Sequence, residues 1–381
     1  MKIQRILEKE VKKALIPGRA VIIMGARRVG KTTLLKNILE QVSLENKKVS
    51  FLNCDDLEIR TKFSDISLSA LKNLFSDTDL IIFDEAQRIK NIGITLKMIV
   101  DEMPDKRLIA TGSSSLELAN EVSESLTGRK KTFYLFPISF LELKSHQDEN
   151  YFASSENLDQ ALRFGSYPEI FKMSTQQEKE EYLLELTTDY LYKDALEYQD
   201  IRNPEQLRKL LTALALQISQ EVSLPELANT VGIDQKTVMR YLDLLEKSFV
   251  IFRLPALSRN IRKEISKSRK IYFYDLGIRN ALIKNFNTYD LRQDRGHVWE
   301  NFLVSERKKR DIYLKESKNY YFWRTYDQKE IDLVEEQSGK MTGFEFKWSK
   351  EEFKKPLEFL HAYPNSEVSL VNKNQFLDFV S

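Results

Sequence analysis

The sequence has little cysteine and almost no net charge. Cys54 is the only cysteine among 381 residues, which excludes a disulfide within the chain and a cysteine-based zinc site. A single thiol is typical of a reducing compartment, so we expect the protein in the cytoplasm. The formal net charge of +2 at pH 7 gives no global attraction to nucleic acid, so any DNA contact must come from local basic patches.

Long apolar runs, internal repeats and low-complexity tracts are also absent from the sequence. No run approaches transmembrane length, so we expect no membrane span and no membrane partner. Residues 1–5 are charged and lead into a helical pattern, so we expect no signal peptide. With 42% hydrophobic and 30% charged residues, the composition is typical of folded domains, and the length predicts two to four of them.

Residues 25–32 read GARRVGKT and match the phosphate-loop pattern G-x-x-x-x-G-K-[ST] at every fixed position. An apolar run at 20–24 predicts a strand before the loop, and 33–39 predict a helix after it. In that setting the backbone N–H groups and the helix amino end face a phosphate chain. Lys31 is expected at the outer ATP phosphates and the Thr32 hydroxyl on Mg²⁺; a glycine-rich turn before an ordinary helix is the weaker alternative. The predicted nucleotide-binding residues are Gly25, Ala26, Arg27, Arg28, Val29, Gly30, Lys31, Thr32 and Thr33.

The run 79–84 predicts a strand that ends in two carboxylates, Asp84 and Glu85. Beside a phosphate loop, this Walker B pattern assigns Asp84 to the Mg²⁺ shell and Glu85 to polarising the attacking water. The alternative is a solvated acidic pair at a helix start.

Further short apolar runs at 48–53, 107–111 and 131–136 alternate with helix-like stretches. This alternation predicts an α/β fold with a parallel sheet covered on both faces. Ser113 to Ser115 follow one of these strands, where a hydroxyl can sense the γ-phosphate or its water. A serine-rich turn that caps the next helix is an equally good interpretation.

These motifs, together with Gly128-Arg129 and the segment 136–140, resemble the AAA+ ATPases, specifically the branch near the STAND proteins. The resemblance implies that Arg129 reaches the nucleotide of a neighbouring subunit in a homo-oligomer. A surface arginine is nearly as good an interpretation. It also implies a helical lid, for which the stretch from Phe164 to Asp200 is the candidate.

Residues 223–247 predict a helix-turn-helix. A helix start is indicated by Ser223 as its cap, Pro225 and, three residues after the serine, Glu226. Gly232 ends that helix, and Asp234 caps the next one at 235–247. The strand-like run 249–254 completes a winged helix. DNA contact and a role as spacer or protein contact are equally open, because fold does not fix function. The candidate DNA-binding residues are Gln235, Lys236, Thr237 and Arg240, followed by a basic linker with Arg259, Arg262, Lys263, Lys267, Arg269 and Lys270.

The last third of the sequence holds a second acidic pattern. A helix at 297–306 bears Glu300, and two predicted strands carry Asp332 and the Glu345-x-Lys347 pair. Asp332 and Glu345 could bind Mg²⁺ or Mn²⁺ while Lys347 orients water. The order resembles the PD-(D/E)XK restriction-endonuclease-like fold, although such a pair is often a plain cross-strand ion pair.

Taken together, the chain resembles prokaryotic ATPases that join these parts. The resemblance implies an AAA+-type core at 1–150, a helical lid at 151–203, a winged helix at 204–258 and an α/β nuclease-like domain at 259–381. The expected function is a Mg²⁺-dependent ATPase that acts on or near DNA. One alternative is a nucleotide-controlled switch whose last domain binds without cutting; another is a DNA-binding protein that holds nucleotide only for structure.

Overall fold

Two units make up the chain in the computed structural model. The amino-terminal unit comprises residues 2–137 and 247–249, and the carboxyl-terminal unit comprises 138–246 and 250–381. None of the described helices is long and apolar enough to cross a membrane. The structure describes residues 3–44, 47–113, 125–144, 155–197, 203–257, 269–325, 327 and 329–381.

A five-stranded parallel sheet forms the centre of the amino-terminal unit. Its strand order is β2-β3-β4-β1-β5, which confirms the predicted α/β architecture. Every residue of β1 and β3 is buried, as expected for apolar strands that are covered on both faces. The strands are β1 (Ala20–Met24), β2 (Val49–Asn53), β3 (Leu80–Asp84), β4 (Arg107–Gly112) and β5 (Lys130–Tyr134). The helices are α1 (Leu7–Ala14), α2 (Lys31–Leu44), α3 (Leu57–Phe63), α4 (Leu68–Leu74) and α5 (Ile92–Glu102), with a 3₁₀ turn at Ala86–Arg88.

This strand order brings three polar chain segments to one edge of the sheet. Met24 at the end of β1 lies opposite Gly112 at the end of β4, and Phe83 of β3 lies opposite Ala110. The phosphate loop follows β1 directly. Because the carboxyl ends of parallel strands share an edge, the loop, the acidic pair after β3 and Ser113 after β4 are neighbours.

The carboxyl-terminal unit contains two sheets and most of the helices. Its helices are α6 (Phe140–Lys144), α7 (Ser155–Phe164), α8 (Gln176–Glu197), α9 (Pro204–Leu216), α10 (Leu224–Val231), α11 (Gln235–Lys247), α12 (Leu276–Leu282), α13 (Arg295–Leu314), α14 (Leu357–Ala362) and α15 (Phe376–Val380), with 3₁₀ turns at Pro168–Lys172 and Tyr289–Leu291. Its strands are β6 (Glu221–Val222), β7 (Ile251–Pro255), β8 (Arg269–Phe273), β9 (Asn319–Arg324), β10 (Glu330–Gln337), β11 (Lys340–Phe346) and β12 (Ser366–Val371). The helical stretch predicted from Phe164 to about Asp200 begins later than expected, because Phe164 ends α7 and α8 begins only at Gln176.

Helices α9, α10 and α11 accompany a three-stranded antiparallel sheet of order β6-β8-β7. The expected cap of α10 is wrong, since the Ser223 side chain makes no capping hydrogen bond and Glu226 accepts one from Gln217 instead, at 2.8 Å. Gly232 ends α10 with φ +76°, a left-handed conformation that favours glycine. Because β8 completes this sheet, the boundary predicted between 258 and 259 falls between strands of one sheet.

The second sheet of this unit has the order β12-β11-β10-β9. Strands β9, β10 and β11 pair antiparallel, and β12 runs parallel to β11. The two sheets are linked through main chain, since Leu257 N donates to Phe322 O at 2.7 Å.

Helix α13 is fixed to β8 by one buried carboxamide. Asn301 accepts a hydrogen bond from Phe273 N at 2.7 Å and donates one to Phe273 O at 2.9 Å, as a neighbouring strand would. The adjacent Trp299 is buried and packs on Phe302 and Phe376. This arrangement sets the register between the helix that bears Glu300 and the strand that bears Lys270.

Candidate nucleotide site and acidic cluster

The phosphate loop takes a tightly curled path between β1 and α2. Arg28 and Gly30 both have positive φ, +59° and +100°. Residues other than glycine seldom adopt this backbone conformation. A Cβ on Gly25 would lie 2.1 Å from the Leu135 carbonyl oxygen, so only glycine fits there. The sequence motif therefore marks real backbone constraints.

Arg5 supports this loop from a position that the sequence analysis did not single out. Its guanidinium is buried and donates to Val29 O at 2.7 Å and to Phe136 O at 2.6 Å. One side chain thus ties the loop to the segment after β5. A lone arginine ahead of α1 gives no sequence signal for this role, because the contact spans 131 positions of the chain.

The Lys31 ammonium lies inside the loop and is buried. It donates to the carbonyl oxygens of Gly25 at 3.0 Å and Ala26 at 3.1 Å, and it lies 3.4 Å from Glu85 Oε1. Two of these three partners are neutral. A phosphate chain offers the ammonium stronger, charged acceptors.

Thr32 and Asp84 form an oxygen pair at the start of α2 and the end of β3. The Thr32 hydroxyl donates to Asp84 Oδ2 at 2.7 Å, and the Thr111 hydroxyl donates to Asp84 Oδ1 at 2.5 Å. A hydroxyl beside one carboxylate suits Mg²⁺, which takes one or two carboxylates and keeps several waters. The donor set therefore fits the ion that the phosphate loop implies.

Glu85 is held in one orientation beside this pair. Its backbone is left-handed, with φ 56° and ψ 44°, a conformation that stores strain at many functional sites. Gln87 Nε2 donates to Glu85 Oε2 at 2.7 Å and to Ser113 Oγ at 2.9 Å. Burial acts to raise the pKa of Glu85, but the Lys31 charge and the Gln87 hydrogen bond outweigh it and lower the pKa. The Glu85 carboxylate is therefore anionic and is held in a fixed orientation.

Thr111 and Gln87 were given no role by the sequence analysis, although both contact the acidic pair. The Thr111 hydroxyl also accepts from Glu85 N at 3.0 Å. A hydroxyl at the end of the strand next to β3 was the available signal. The expected sensor Ser113 contacts the same group, because its side chain hydrogen-bonds to Glu85 and accepts a hydrogen bond from Gln87. Ser114 and Ser115 lie outside the described residues.

The remaining predicted loop residues differ in exposure. Ala26 and Val29 are buried, Arg27 is half-buried, and Arg28 and Thr33 are exposed.

Arg129 lies away from the phosphate loop of its own chain. It directly precedes β5, whose amino end pairs with the amino end of β1 through Ala20 and Lys130, and its guanidinium pairs with Asp101. The loop follows the opposite end of β1, four residues further, or about 13 Å at 3.3 Å per residue. Of the helix-like stretch 116–126 that precedes Gly128 in the sequence, only residues 125 and 126 are described.

Three of the four predicted DNA-binding residues are exposed on helix α11. Gln235, Lys236 and Arg240 are exposed, whereas Thr237 hydrogen-bonds to the capping Asp234 through its backbone N and its hydroxyl. The apolar face of the helix, Val238, Tyr241, Leu242 and Leu245, is buried.

The expectation that Lys270 contributes a basic surface is wrong. It is only 3% exposed, and its ammonium pairs with carboxylates of the carboxyl-terminal unit. Arg269 is half-buried. The linker residues Arg259, Arg262, Lys263 and Lys267 lie outside the described residues.

The predicted nuclease-like residues form part of an acidic cluster. Lys270 Nζ lies 2.8 Å from Glu300 Oε1 and also pairs with Glu330. The Tyr272 hydroxyl donates to the same Glu300 oxygen at 2.7 Å. Burial raises the pKa of Glu300 despite the nearby ammonium. The acidic cluster is defined here as Glu300, Glu330, Asp332 and Glu345 with Lys270 and Lys347.

Asp332 and Glu345 occupy neighbouring strands of this cluster. The β10–β11 register pairs Leu333 with Phe344, and its continuation sets Asp332 opposite Glu345. Asp332 Oδ2 accepts from Phe346 N at 2.7 Å, and Lys347 Nζ lies 2.7 Å from Glu345 Oε1.

The cluster carries strong mutual electrostatic effects. Burial, and then the Glu300 charge, raise the pKa of Asp332 to about 7. Burial and the Asp332 charge also raise the pKa of Glu345. Among the described residues, no group of three or more histidine, cysteine, aspartate or glutamate side chains is placed to hold a metal ion.

Comparison with known proteins assigns most of the chain to three family models. Residues 17–144 match an AAA domain. Residues 155–289 and 295–377 match two domains of unknown function, DUF8612 and DUF4143.

Two relatives span most of this chain. The uncharacterized protein Rv2008c of Mycobacterium tuberculosis is 31% identical over 342 residues, which cover 88% of this chain and 72% of the relative. The uncharacterized protein MJ1544 of Methanocaldococcus jannaschii is 26% identical over 87% of this chain and 75% of its own. The solved structure of DnaA from Aquifex aeolicus with AMPPCP is 17% identical over 64% of this chain and 87% of that chain, and its TM-score of 0.34 is too low to argue from.

Proposed function

This chain belongs to the same family as Rv2008c of Mycobacterium tuberculosis, and we propose that it is a cytoplasmic, Mg²⁺-dependent ATPase that binds DNA. Its residues 17–144 are an AAA-type P-loop domain, which implies nucleotide binding. The finer assignment rests on named side chains. One observation carries it: at the mouth of the loop, the Thr32 hydroxyl lies 2.7 Å from the Asp84 carboxylate.

Each group at this edge of the sheet has a role in the proposed reaction. Lys31 would exchange its carbonyl partners for the outer phosphates, and Thr32 and Asp84 would hold Mg²⁺, which would neutralise phosphate charge. Glu85 accepts a hydrogen bond from the attacking water and orients it. Gln87 and Ser113 keep the Glu85 carboxylate at that position.

Phosphate release from ATP tests this proposal. We expect steady turnover by the purified chain with Mg²⁺ and none when the metal is chelated. DNA is added in a parallel series, because acceleration by DNA would connect turnover to the proposed ligand. Tight nucleotide binding without turnover under all these conditions would instead favour a purely structural nucleotide.

Assembly into a homo-oligomer is part of the proposal. Arg129 lies at the end of β5 that is remote from its own phosphate loop. If it contacts a nucleotide, that nucleotide is therefore bound to a neighbouring subunit. A guanidinium suits that task because it stays charged and grips two phosphate oxygens.

DNA binding is proposed for the α9–α11 region, which we interpret as a winged helix. Its support is the exposed pair Lys236 and Arg240 at the beginning of α11, where recognition helices meet the major groove. The near-neutral chain as a whole makes such a local patch the principal source of attraction.

A second candidate function concerns the carboxyl-terminal sheet. Asp332 and Glu345 on neighbouring strands suit a PD-(D/E)XK-type Mg²⁺ or Mn²⁺ site, but Lys270 already pairs with two carboxylates of the cluster. A nucleotide-controlled switch whose last domain binds without cutting is therefore the function that this arrangement favours. Incubation of supercoiled plasmid with Mg²⁺ or Mn²⁺ tests this: nicking by wild type that Asp332→Ala abolishes would establish a nuclease instead.

A further inference from the structure

The acidic cluster contains a lysine that no nuclease pattern predicts. Lys270 comes from β8, next to the acidic side chains of α13 and β10, and its ammonium is almost fully buried. It lies 2.8 Å from Glu300 Oε1 and also pairs with Glu330. A buried ammonium is tolerated only when charged partners and hydrogen bonds surround it, and these two carboxylates supply them.

We propose that the Lys270 ammonium is the resident cation of the acidic cluster and takes the place of a divalent metal ion. This inference goes beyond the proposed ATPase and does not depend on it. In this proposal the charge of the carboxylates is balanced by an ammonium that is part of the chain, and not by a metal ion that can dissociate.

The ammonium is fixed by the main chain around it. Asn301 bonds both the N and the O of Phe273, so β8 and α13 have one register. The neighbouring Tyr272 stacks on Phe252, with ring centroids 5.4 Å apart, and donates to Glu300. Lys270 therefore does not reach the cluster as a long, freely rotating surface side chain.

The other carboxylates of the cluster also have protein donors. Phe346 N donates to Asp332 at 2.7 Å, and Lys347 pairs with Glu345 at 2.7 Å. A divalent ion at Asp332 and Glu345 would share the cluster with two ammonium groups, and like charges at short range repel. Removal of Lys270 leaves its two partners uncompensated, which strengthens attraction for a metal.

Two roles for Lys270 predict effects of opposite sign. If the lysine replaces a metal, its removal creates or strengthens a metal site. If the lysine instead positions Glu300 as a metal ligand, its removal weakens metal binding. The sign of the change therefore decides between them.

The experiment measures Mn²⁺ binding to full-length, nucleotide-free protein through the electron paramagnetic resonance signal of free Mn²⁺. The proteins are wild type, Lys270→Met, Lys270→Arg, and the first two with Asp332→Asn added. Subtracting each Asp332→Asn protein removes any Mn²⁺ held at the phosphate loop. We expect Lys270→Met to gain an Asp332-dependent site at least about tenfold tighter than any in wild type, and Lys270→Arg to gain none.

Wild-type protein that binds Mn²⁺ through Asp332 as tightly as Lys270→Met, or more tightly, would overturn the proposal. If Lys270→Met folds poorly, Lys270→Met with Glu300→Gln reduces the uncompensated charge and takes its place. Thermal unfolding gives an independent readout, because a ligand that binds the folded state raises the Tm. Mn²⁺ must raise the Tm of Lys270→Met, with Asp332 intact, more than that of wild type. An equal or smaller rise contradicts the inference.

Discussion

The phosphate loop and the acidic cluster each bury one lysine beside carboxylates, yet the two lysines have different partners. Lys31 is 4% exposed and Lys270 is 3% exposed, so burial does not distinguish them. Lys31 donates to two neutral carbonyl oxygens and lies 3.4 Å from one carboxylate. Lys270 pairs closely with two carboxylates on two elements. An ammonium that is hydrogen-bonded mainly to neutral oxygens can still bind an anionic ligand. An ammonium whose charge is balanced by two carboxylates stabilises the fold instead.

Among the substitutions that test this comparison, replacing Lys31 is expected to have the largest effect on ATP turnover. Lys31→Ala removes the charge at the outer phosphates, and we expect ATP turnover to fall by at least about 1000-fold, as for other preorganised transition-state charges. Phosphate release measures it. Lys36→Ala, at an exposed position of α2, is the matched control and should leave turnover within about twofold. Similar losses in both variants would mean a general defect of α2.

Arg129→Ala is expected to lower turnover by about 1000-fold, the lower end for arginine fingers, while ATP binding persists. Mixing it with Lys31→Ala should restore part of the activity, since one subunit then supplies the site and the other the arginine. Turnover per subunit should also rise with protein concentration. A monomer whose rate does not depend on concentration would contradict a role between subunits.

Lys236→Ala with Arg240→Ala should weaken DNA binding about tenfold at low salt and reduce the salt slope by up to ~2. Fluorescence anisotropy of a labelled duplex, measured over a series of salt concentrations, provides both numbers. Lys354→Ala with Lys355→Ala removes the same charge from exposed positions outside the α9–α11 region and is the control. Equal losses in the two double variants would mean attraction by net charge alone.

The smallest expected effect concerns the pH profile. Gln87 lowers the pKa of Glu85, and the anion is the active form above that pKa. Gln87→Ala raises the pKa, so the acid limb of kcat/KM should move to higher pH, with about threefold lower turnover near neutrality. An unshifted acid limb would show that another group controls it.

Much of the amino-terminal unit could be predicted from sequence because its signals are local. The loop motif and the apolar run before it fix the strand, the turn and the start of α2 together. The meeting of Thr32 with Asp84 was expected from the two motifs, because both lie at the carboxyl ends of parallel strands, whereas the strand order itself was not predicted. Arg5 could not be found, because its two carbonyl partners depend on the folded path of the loop.

The carboxyl-terminal unit was harder to predict because its decisive contacts are between distant elements. Asp332, Glu345 and Lys347 were recognisable from strand alternation. Lys270 looked like one more basic linker residue, and only the pairing of β8 with β7, together with the Asn301 bridge, turns it towards Glu300. The predicted Ser223 cap is absent, and the Glu226 carboxylate instead has a partner outside its own helix, Gln217.

The most direct test of the proposed ATPase is the Glu85→Gln protein, measured for both MgATP binding and hydrolysis. The substitution keeps the shape of the side chain and its neighbours but removes the carboxylate that orients water. We predict MgATP affinity within about threefold of wild type and hydrolysis slower by at least about 100-fold, the usual contribution of a general base. Near wild-type turnover would contradict the assignment of Glu85 and with it the proposed mechanism.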